Sequence, residues 1–188
     1  MSCGSGFTGR RAGRRTRLAA VFLAAAALAA AGCASPAQPA AMVPESVPVL
    51  AREPRTVNLR AFGGELTIPL GRSKISNQDF EHALAQGLAE ARLLRAVVDK
   101  PADYRLDVTI EEVAQPWFSF SMTVELVTRW ELARGGEREP FWTDTIRSTH
   151  TVPLLAEFFG IRRLRLANEG AARAAILEGI QRLAPQVS

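Results

Sequence analysis

Cysteine and histidine are scarce in this sequence of 188 residues, which contains two of each. Cys3 and Cys33 both lie near the N-terminus, so the rest of the chain has no thiol for a disulfide, a nucleophile or a zinc site. Neither His82 nor His150 has another donor at metal-ligand spacing. We therefore expect a domain that is stabilised by its core alone and that binds no metal ion.

Recognisable catalytic motifs are also missing. The sequence has no G-x-S-x-G, no H-E-x-x-H and no glycine-rich phosphate loop. Asp144 and His150 share one face of a predicted strand, but six positions along a strand span about 20 Å, which is too far for direct contact. We expect His82 on the exposed face of a helix and His150 at the rim of the sheet. The sequence predicts no catalytic residue and a protein that is not an enzyme; enzymatic activity is the second alternative to the leading function given below.

Acidic residues are absent from residues 1–32, and that segment holds five arginines: Arg10, Arg11, Arg14, Arg15 and Arg17. These arginines account for the sequence pI of about 9.8. Without them, 18 basic and 19 acidic residues remain, which gives a net charge of −1. Because a nearly neutral domain has no bulk attraction for a polyanion, we expect no nucleic-acid partner.

Long hydrophobic runs are missing as well. The apolar run Leu18–Ala31 has 14 residues, which is too short to span a bilayer core of about 30 Å. It follows the arginines and precedes small residues, and this order is typical of a secretory signal peptide. We predict a signal peptide over residues 1–32.

The end of that segment reads Ala30-Ala31-Gly32-Cys33 and resembles the lipobox of bacterial lipoproteins. The resemblance implies cleavage between Gly32 and Cys33, and a covalent diacylglycerol and an N-acyl lipid on Cys33 with no other cofactor. The lipobox prefers leucine where this chain has Ala30, so an ordinary signal peptide cleaved near Ala31 is the alternative. In the lipoproteins it resembles, an aspartate after the cysteine signals inner-membrane retention. Ala34 stands there instead, which implies the periplasmic face of the outer membrane.

Proline and alanine dominate the next segment, and residues 33–54 are predicted to be the lipidated cysteine and a linker. The prolines are Pro36, Pro39, Pro44, Pro48 and Pro54. Because proline fixes φ and lacks an N–H group, such a segment is typical of an extended tether, which would reach about 60 Å at ~3.1 Å per residue. Beyond it we expect one α+β envelope domain over residues 55–188.

Alternating apolar and polar residues predict the strands of that domain. Two short strands lie within Thr56–Leu70 on either side of a glycine pair, and another covers Tyr104–Ile110. The clearest pattern is a long strand whose even positions face the core: Phe118, Phe120, Met122, Val124, Leu126, Trp130 and Leu132. After a glycine-containing turn, residues 139–152 form its partner strand.

Two helices complete the predicted fold. Ser76-x-x-Asp79 resembles a capping box and begins a helix to about Val97, in which Gly87 indicates a close approach to the sheet. The second helix ends near Leu183, and its buried stripe is Leu164, Asn168, Ala171, Ala172, Ala175, Ile176, Gly179, Ile180 and Leu183. The order of elements predicts an α+β two-layer sandwich, with a mainly antiparallel sheet of four to five strands and two helices on one face.

The connection after the last strand is the candidate partner surface. Its residues are Leu154, Leu155, Phe158, Phe159, Arg162 and Arg163. Exposed apolar residues in a connection are typical of a binding surface, but a helical turn that plugs one end of the sandwich would bury them instead. The arginines fit either a solvated helix start or contact with lipid phosphates or an acidic partner. The Ser/Thr-rich outer face of the long strands is either the solvent-exposed face of the sheet or a binding site for another strand or a glycan.

Several sequence strings carry a family resemblance over about residues 55–184. They are Asp79-Phe80 with Ala83-Leu84 and Leu88, Asp103-Tyr104-x-Leu106, Gln115-Pro116 and, most specifically, Arg163-Leu164-Arg165-x-Ala167-Asn168-Glu169-Gly170-Ala171-Ala172-Arg173 with Ala175-Ile176. This set resembles the YajG-type family of bacterial outer-membrane lipoproteins. The resemblance implies the fold of this family and a location in the cell envelope. Members of the family have no established molecular activity.

Together these features predict an outer-membrane-anchored periplasmic lipoprotein. We expect it to act as a non-catalytic accessory protein, held to the membrane by its lipid, that binds another envelope protein. Binding of a lipid, lipopolysaccharide or peptidoglycan is the alternative function.

Overall fold

The computed structural model describes residues 34–49, 55–68, 71–97, 101–116 and 119–187. All of them belong to one compact unit, Ala34–Ser188. The predicted signal peptide, its cleavage site and Cys33 lie outside the described residues, as does Phe118. Within the described ranges, no helix is both long enough and apolar enough to cross a membrane.

The described chain contains three α-helices, five strands and a final 3₁₀ turn. In chain order they are α1 (Pro39–Met42), β1 (Arg55–Phe62), α2 (Asn77–Glu90), β2 (Leu94–Ala96), β3 (Tyr104–Ala114), β4 (Ser121–Arg134), β5 (Trp142–Pro153), α3 (Gly160–Leu183) and the 3₁₀ turn Ala184–Val187. The α+β prediction is confirmed, with α2 packed on β1 and β2 and with α3 packed on β4 and β5.

The sheet is mixed, with antiparallel pairing between its three longest strands, as predicted, and parallel pairing on both sides of β1. Its strand order is β2-β1-β3-β4-β5, and β1 runs parallel to both β2 and β3. Strands β3, β4 and β5 pair antiparallel. Strands β1 and β2 are parallel because helix α2, which connects them, returns the chain to the end of the sheet at which β1 begins. A parallel pair requires a crossover connection of this kind.

The long strand β4 confirms the predicted alternation. Val124, Leu126 and Leu132 are fully buried, whereas Thr123 on the opposite face is exposed. The break in the apolar pattern at Thr128 is also explained, because its buried hydroxyl accepts a hydrogen bond of 2.9 Å from the indole nitrogen of Trp130. A buried indole N–H needs such a partner. Every residue of the predicted α3 stripe is buried as well.

Gly87 makes a different contact from the one predicted. A Cβ atom there would lie 3.1 Å from Ile180 and 3.2 Å from Ile176, so the glycine lets α2 approach α3 rather than the sheet. The glycine that faces the sheet is Gly179 in α3, where a Cβ atom would collide with the ring of Trp130. At Gly179 the helix and the sheet approach too closely for a methyl group, whereas at Gly87 a methyl group would require a small shift of the two isoleucine side chains.

Three predicted boundaries are wrong. The chain leaves β1 at Gly63, where φ is 77°, and the next residues bond to the start of α2 instead of forming a second strand: Gly64 N–H donates to Asn77 Oδ1. Helix α2 ends at Glu90, before the left-handed residue Arg92. Phe120 precedes β4 and is 84% exposed, so it does not face the core.

The predicted linker is wrong over residues 37–44. Pro39–Met42 forms helix α1, which packs against both α2 and α3. Met42 is fully buried, and Ala37 and Val43 are nearly so. Proline at the start of a helix is compatible with helical geometry, so the proline content did not exclude this turn. Residues 37–44 therefore belong to the folded domain.

Candidate functional site

The two ends of the sheet have different surfaces. At one end β1, β3 and β5 finish and β4 begins; we call it the apolar end. At the other end β1 and β3 begin and β4 finishes; we call it the cleft end. Strands of this length separate the two ends by about 40 Å.

Large apolar side chains are exposed at the apolar end. The exposed fractions are 81% for Leu66, 64% for Ile68, 84% for Phe120, 84% for Leu155, 72% for Phe158 and 54% for Phe159. Leu154, the remaining apolar member of the candidate partner surface, is half-buried. The connection after β5 therefore does not bury its phenylalanines as a plug would. Clustered exposure of this kind is typical of a contact surface.

Arg163 does not belong to that surface, contrary to the sequence interpretation. Its side chain is 5% exposed. Its Nη1 donates to the carbonyl oxygens of Glu157 at 2.7 Å and Phe158 at 3.3 Å, and its Nη2 donates to Ser119 O at 3.2 Å. The buried guanidinium therefore ties two loops together by their backbones, which leaves the neighbouring phenylalanine rings outside.

Arg162 is the exposed cation of the pair. Its guanidinium lies 5.3 Å from the centre of the Phe159 ring, a cation–π distance. The Phe159 N–H donates to Glu157 Oε1 at 2.9 Å, so the loop backbone beneath the ring is also fixed. The loop backbone of this segment is held by hydrogen bonds, while the apolar rings that it carries are exposed.

A polar network supports the same end from inside. Asn168, fully buried in α3, donates to Ser73 O at 2.9 Å and accepts from Gln115 Nε2 at 2.7 Å. Gln115 also donates to Ser73 O at 3.0 Å. The network joins three separate parts of the chain beside a small cavity of about 190 Å³, which includes Met122 and Leu164 in its lining.

The N-terminal part of the described chain begins at the apolar end. Ala37 N–H donates to Lys74 O at 3.2 Å, in the connection between β1 and α2. Gln38 N–H donates at 3.0 Å to Glu169 Oε1, and Glu169 is 3% exposed. Further along, Arg173 donates to Ala41 O through Nε at 3.0 Å and Nη2 at 2.6 Å. The segment is thus bonded to α3 at two places.

The cleft end carries an open depression of about 450 Å³. Its lining residues are Arg55, Asp103, Tyr104, Arg134, Phe141 and Gln186. The Tyr104 and Phe141 rings lie 6.3 Å apart. The Arg55 guanidinium lies 5.8 Å from the first ring, and the Arg134 guanidinium lies 5.8 Å from the second. Two exposed cations therefore flank an aromatic pair.

Asp103 is the one acidic residue in the lining of this depression. The Thr56 N–H donates to its Oδ2 at 2.8 Å and the Thr56 hydroxyl at 2.7 Å. These bonds, the backbone one first, lower the pKa of Asp103 below its usual value. Arg55 also lowers this pKa by its charge, and two arginines beside one ionised aspartate leave the lining with a net positive charge.

Neither histidine belongs to the exposed apolar cluster or to the lining of the cleft. His82 is exposed on α2, as predicted. His150 is exposed on β5 and its ring covers Gly170, where a Cβ atom would collide with it. His150 lines a depression of about 310 Å³ with Glu45, but Glu45 pairs with Arg173 at 3.3 Å. In the described part of the chain, no group of three or more histidine, cysteine or acidic residues is placed to hold a metal ion.

The outer face of the sheet is polar and crossed by ion pairs. Arg129 lies 3.2 Å from Glu111, and Arg147 lies 3.7 Å from Glu125. Thr123 and Thr151 share a hydrogen bond of 2.8 Å across β4 and β5. These groups pair with one another across strands, which is how an uncovered sheet face satisfies its polar groups.

Comparison with known proteins finds similarity at the level of the fold. No family model matches the chain, and no curated protein sequence matches it. A Xanthomonas campestris protein of the DUF330 family is similar in structure, with a TM-score of 0.54, 8% identity and coverage of 74% of this chain and 91% of that one. A hypothetical protein from Chlamydia trachomatis has a TM-score of 0.51 at 9% identity, with coverage of 71% and 98%.

A minor lipoprotein from Acinetobacter baumannii is also similar, with a TM-score of 0.44, 11% identity and coverage of 74% and 92%. Identities this low establish a shared fold alone, and they do so through the first two structures. Membership of the YajG-type family is not shown by these comparisons and stays a prediction.

The cleft was not found from the sequence. Its residues come from the starts of β1 and β3, the end of β4, the connection between β4 and β5, and the C-terminal turn. Only the strand register, which places Tyr104 opposite Arg134, brings the cations and rings together. A register of this kind has no signature in a single sequence.

Proposed function

We propose that this protein is an outer-membrane-anchored periplasmic lipoprotein, held by lipid on Cys33, that acts as a non-catalytic accessory protein and binds another envelope protein. The observation that carries the proposal is the separation of the two ends. The chain that follows Cys33 joins the domain at the apolar end, and the positive cleft lies at the opposite end.

The cleft supports binding of an acidic segment. A guanidinium presents a planar set of N–H donors that matches a carboxylate, and stacking on an aromatic ring keeps that plane in place. Arg134 lies over Phe141 in this way. Arg55 lies over Tyr104 and also donates from Nη1 to its hydroxyl at 2.6 Å. Phe141 remains 46% exposed, so it offers apolar contact between the two charges. We expect the partner protein to bring carboxylates to this cleft.

The anchor is tested by replacing the two cysteines separately. We expect Cys33→Ser to abolish incorporation of labelled palmitate, to block lipoprotein processing and to release the protein from the membrane pellet. Cys3→Ser is the matched control, because Cys3 lies within the predicted signal peptide and should leave all three properties unchanged. Membrane sedimentation and normal processing of the Cys33→Ser protein would overturn the anchor.

The cleft is tested by cross-linking in cells. A photo-reactive amino acid at Gln186, which lines the cleft, should capture an envelope protein, and one at Thr145 on the outer sheet face should not. The double substitution Arg55→Glu with Arg134→Glu should remove the Gln186 adduct while the anchored protein remains abundant. An adduct that survives both charge reversals would show that the cleft is not the binding site.

Lipid binding is the second candidate function, and the exposed rings of Phe158 and Phe159 favour it. Because Arg163 is buried, the rings have Arg162 as their exposed cation neighbour in this segment. Such a surface suits an apolar ligand better than a glycan. Mass spectrometry of lipid extracted from the purified protein tests this function, and Phe158→Asp should reduce any co-purifying lipid.

A further inference from the structure

We propose that the apolar end rests on the bilayer that holds the Cys33 lipid, with the Phe158 and Phe159 rings in the headgroup region. The inference rests on the proposed lipid anchor and adds an orientation to it: the domain lies against the membrane surface, and the cleft faces away. Three features of the apolar end lead to this orientation.

The first feature is the length of free chain after Cys33. Ala37 is fixed to Lys74 by a backbone hydrogen bond of 3.2 Å, and Gln38 is fixed to the buried Glu169 by one of 3.0 Å. Cys33 stands four residues before Ala37, a stretch that spans at most about 14 Å. The tether of about 60 Å expected from the sequence is therefore not available to the domain.

The second feature is where this short chain emerges. Lys74 lies in the connection between β1 and α2, at the apolar end. The exposed rings of Phe120 and Phe158 lie at the same end, in segments that Arg163 joins through Ser119 O and Phe158 O. A lipid on Cys33 would thus hold these rings close to the bilayer surface, whereas Phe141 at the cleft end would be about 40 Å away.

The third feature is the chemistry of the surface. Phenylalanine and leucine side chains with a neighbouring arginine form the combination that membrane-surface segments use, in which rings enter the headgroup region and the cation meets lipid phosphate. Arg162 lies directly over the Phe159 ring, so the charge and the apolar group are presented together. The buried Arg163 keeps the loop backbone bonded to the protein, so no loose segment has to fold on contact.

The orientation can be measured with spin labels. The mature chain contains no cysteine other than Cys33, so Phe158→Cys introduces a single free thiol in the lipidated protein. Phe141→Cys is the matched control, because Phe141 is 46% exposed at the opposite end. Both proteins are purified in processed form, labelled and reconstituted into vesicles of phosphatidylethanolamine and phosphatidylglycerol, and collision rates with oxygen and with a water-soluble nickel chelate are compared.

We expect the label at position 158 to collide more with oxygen and several-fold less with nickel than the label at position 141. Equal rates at the two positions in vesicle-bound protein would overturn the orientation and leave the anchor intact. Protection from nickel without greater oxygen exposure would indicate a protein contact and would also overturn it. Failure of the processed protein to stay on vesicles, by contrast, would overturn the anchor itself. Thermal melts of both variants check that each is folded.

Discussion

The two ends of the sheet use arginine in different ways. At the apolar end, Arg163 is 5% exposed and gives its donors to loop carbonyls, and no carboxylate among the described residues pairs with it. At the cleft end, Arg105 also bonds two loop carbonyls, those of Glu137 and Arg138 at 2.8 Å each. Its side chain, however, is 32% exposed and pairs with Asp107 at 3.0 Å.

The difference shows how the two surfaces acquire opposite character. A buried guanidinium that bonds backbone oxygens from inside leaves the apolar side chains of its loops on the outside. At the cleft end, Arg105 bonds loop carbonyls from the solvent side, and Arg55 and Arg134 lie over aromatic rings. These arginines therefore leave positive charge on the surface. Substitutions at matched positions can therefore show how strongly each end depends on its internal bonds.

The largest effect is expected where the N-terminal segment packs into the domain. Met42 is fully buried in the core between α2 and α3, so Met42→Ala should lower the free energy of unfolding by about 2–5 kcal/mol. Val49 in the same segment is 60% exposed, and Val49→Ala should change it by less than about 0.5 kcal/mol. Urea unfolding of the unlipidated domain measures both.

If Met42→Ala and Val49→Ala have equally small effects, the segment is not packed as described. The attachment of Ala37 at the apolar end would then lose its support, and with it the contrast between a membrane-facing end and a free end.

The buried network at the apolar end should give the next largest effect. Asn168→Ala removes the donor to Ser73 O and the acceptor for Gln115, and leaving such groups unpaired inside the protein costs about 1–3 kcal/mol. Thr56→Ala at the cleft end removes two exposed hydroxyl bonds, one donated to Asp103 Oδ2 and one accepted from the Asp103 N–H, and should cost less than Asn168→Ala because water can replace both. If chemical denaturation shows that the two substitutions lower the free energy of unfolding equally, buried hydrogen bonds do not stabilise the apolar end more than the cleft end.

The sequence predicts the parts of these ends that depend on local periodicity. The alternation in β4 and the spacing of apolar residues in α3 identify the core face because each element repeats at its own period. The capping residue of α2 is also predicted: Ser76 Oγ accepts from the Asp79 N–H at 3.1 Å. These features are determined by residues that are close together in the sequence, so a single sequence is enough to predict them.

The unpredicted parts depend on contacts between distant residues. The short helix at Met42 forms against α2 and α3, and its proline-rich sequence alone is equally typical of a linker. Arg163 looks like a surface residue beside Arg162 until its loop carbonyls are seen to surround it. Gly87 meets a helix rather than a sheet for the same reason: the identity of the facing element is set by the tertiary arrangement.

The adjacent arginines allow a direct test of the buried role. Arg163→Ala should lower the free energy of unfolding by about 1–2 kcal/mol, because three carbonyl oxygens lose a charged donor. Arg162→Ala removes an exposed cation–π contact and should cost less than about 1 kcal/mol. Arg105→Ala at the cleft end should cost less than Arg163→Ala, since its two carbonyl bonds are exposed and its ion pair with Asp107 is only part-buried. Thermal melts that rank Arg162→Ala or Arg105→Ala above Arg163→Ala would contradict this assignment.

The smallest effect is expected at the cleft end, as a change in pH dependence. The Thr56 N–H and, next, its hydroxyl lower the pKa of Asp103, so the ionised carboxylate stabilises the folded state above its unfolded pKa of about 3.9. That contribution is lost as the pH falls through the lowered folded pKa. Asp103→Asn should therefore be less stable than the natural protein at pH 7, and the difference should close at low pH in urea titrations. Thr56→Val keeps the backbone N–H, the larger cause, so the part of its deficit that varies with pH should be smaller than that of Asp103→Asn. A deficit of Asp103→Asn that is constant with pH would show that the carboxylate is not held by Thr56.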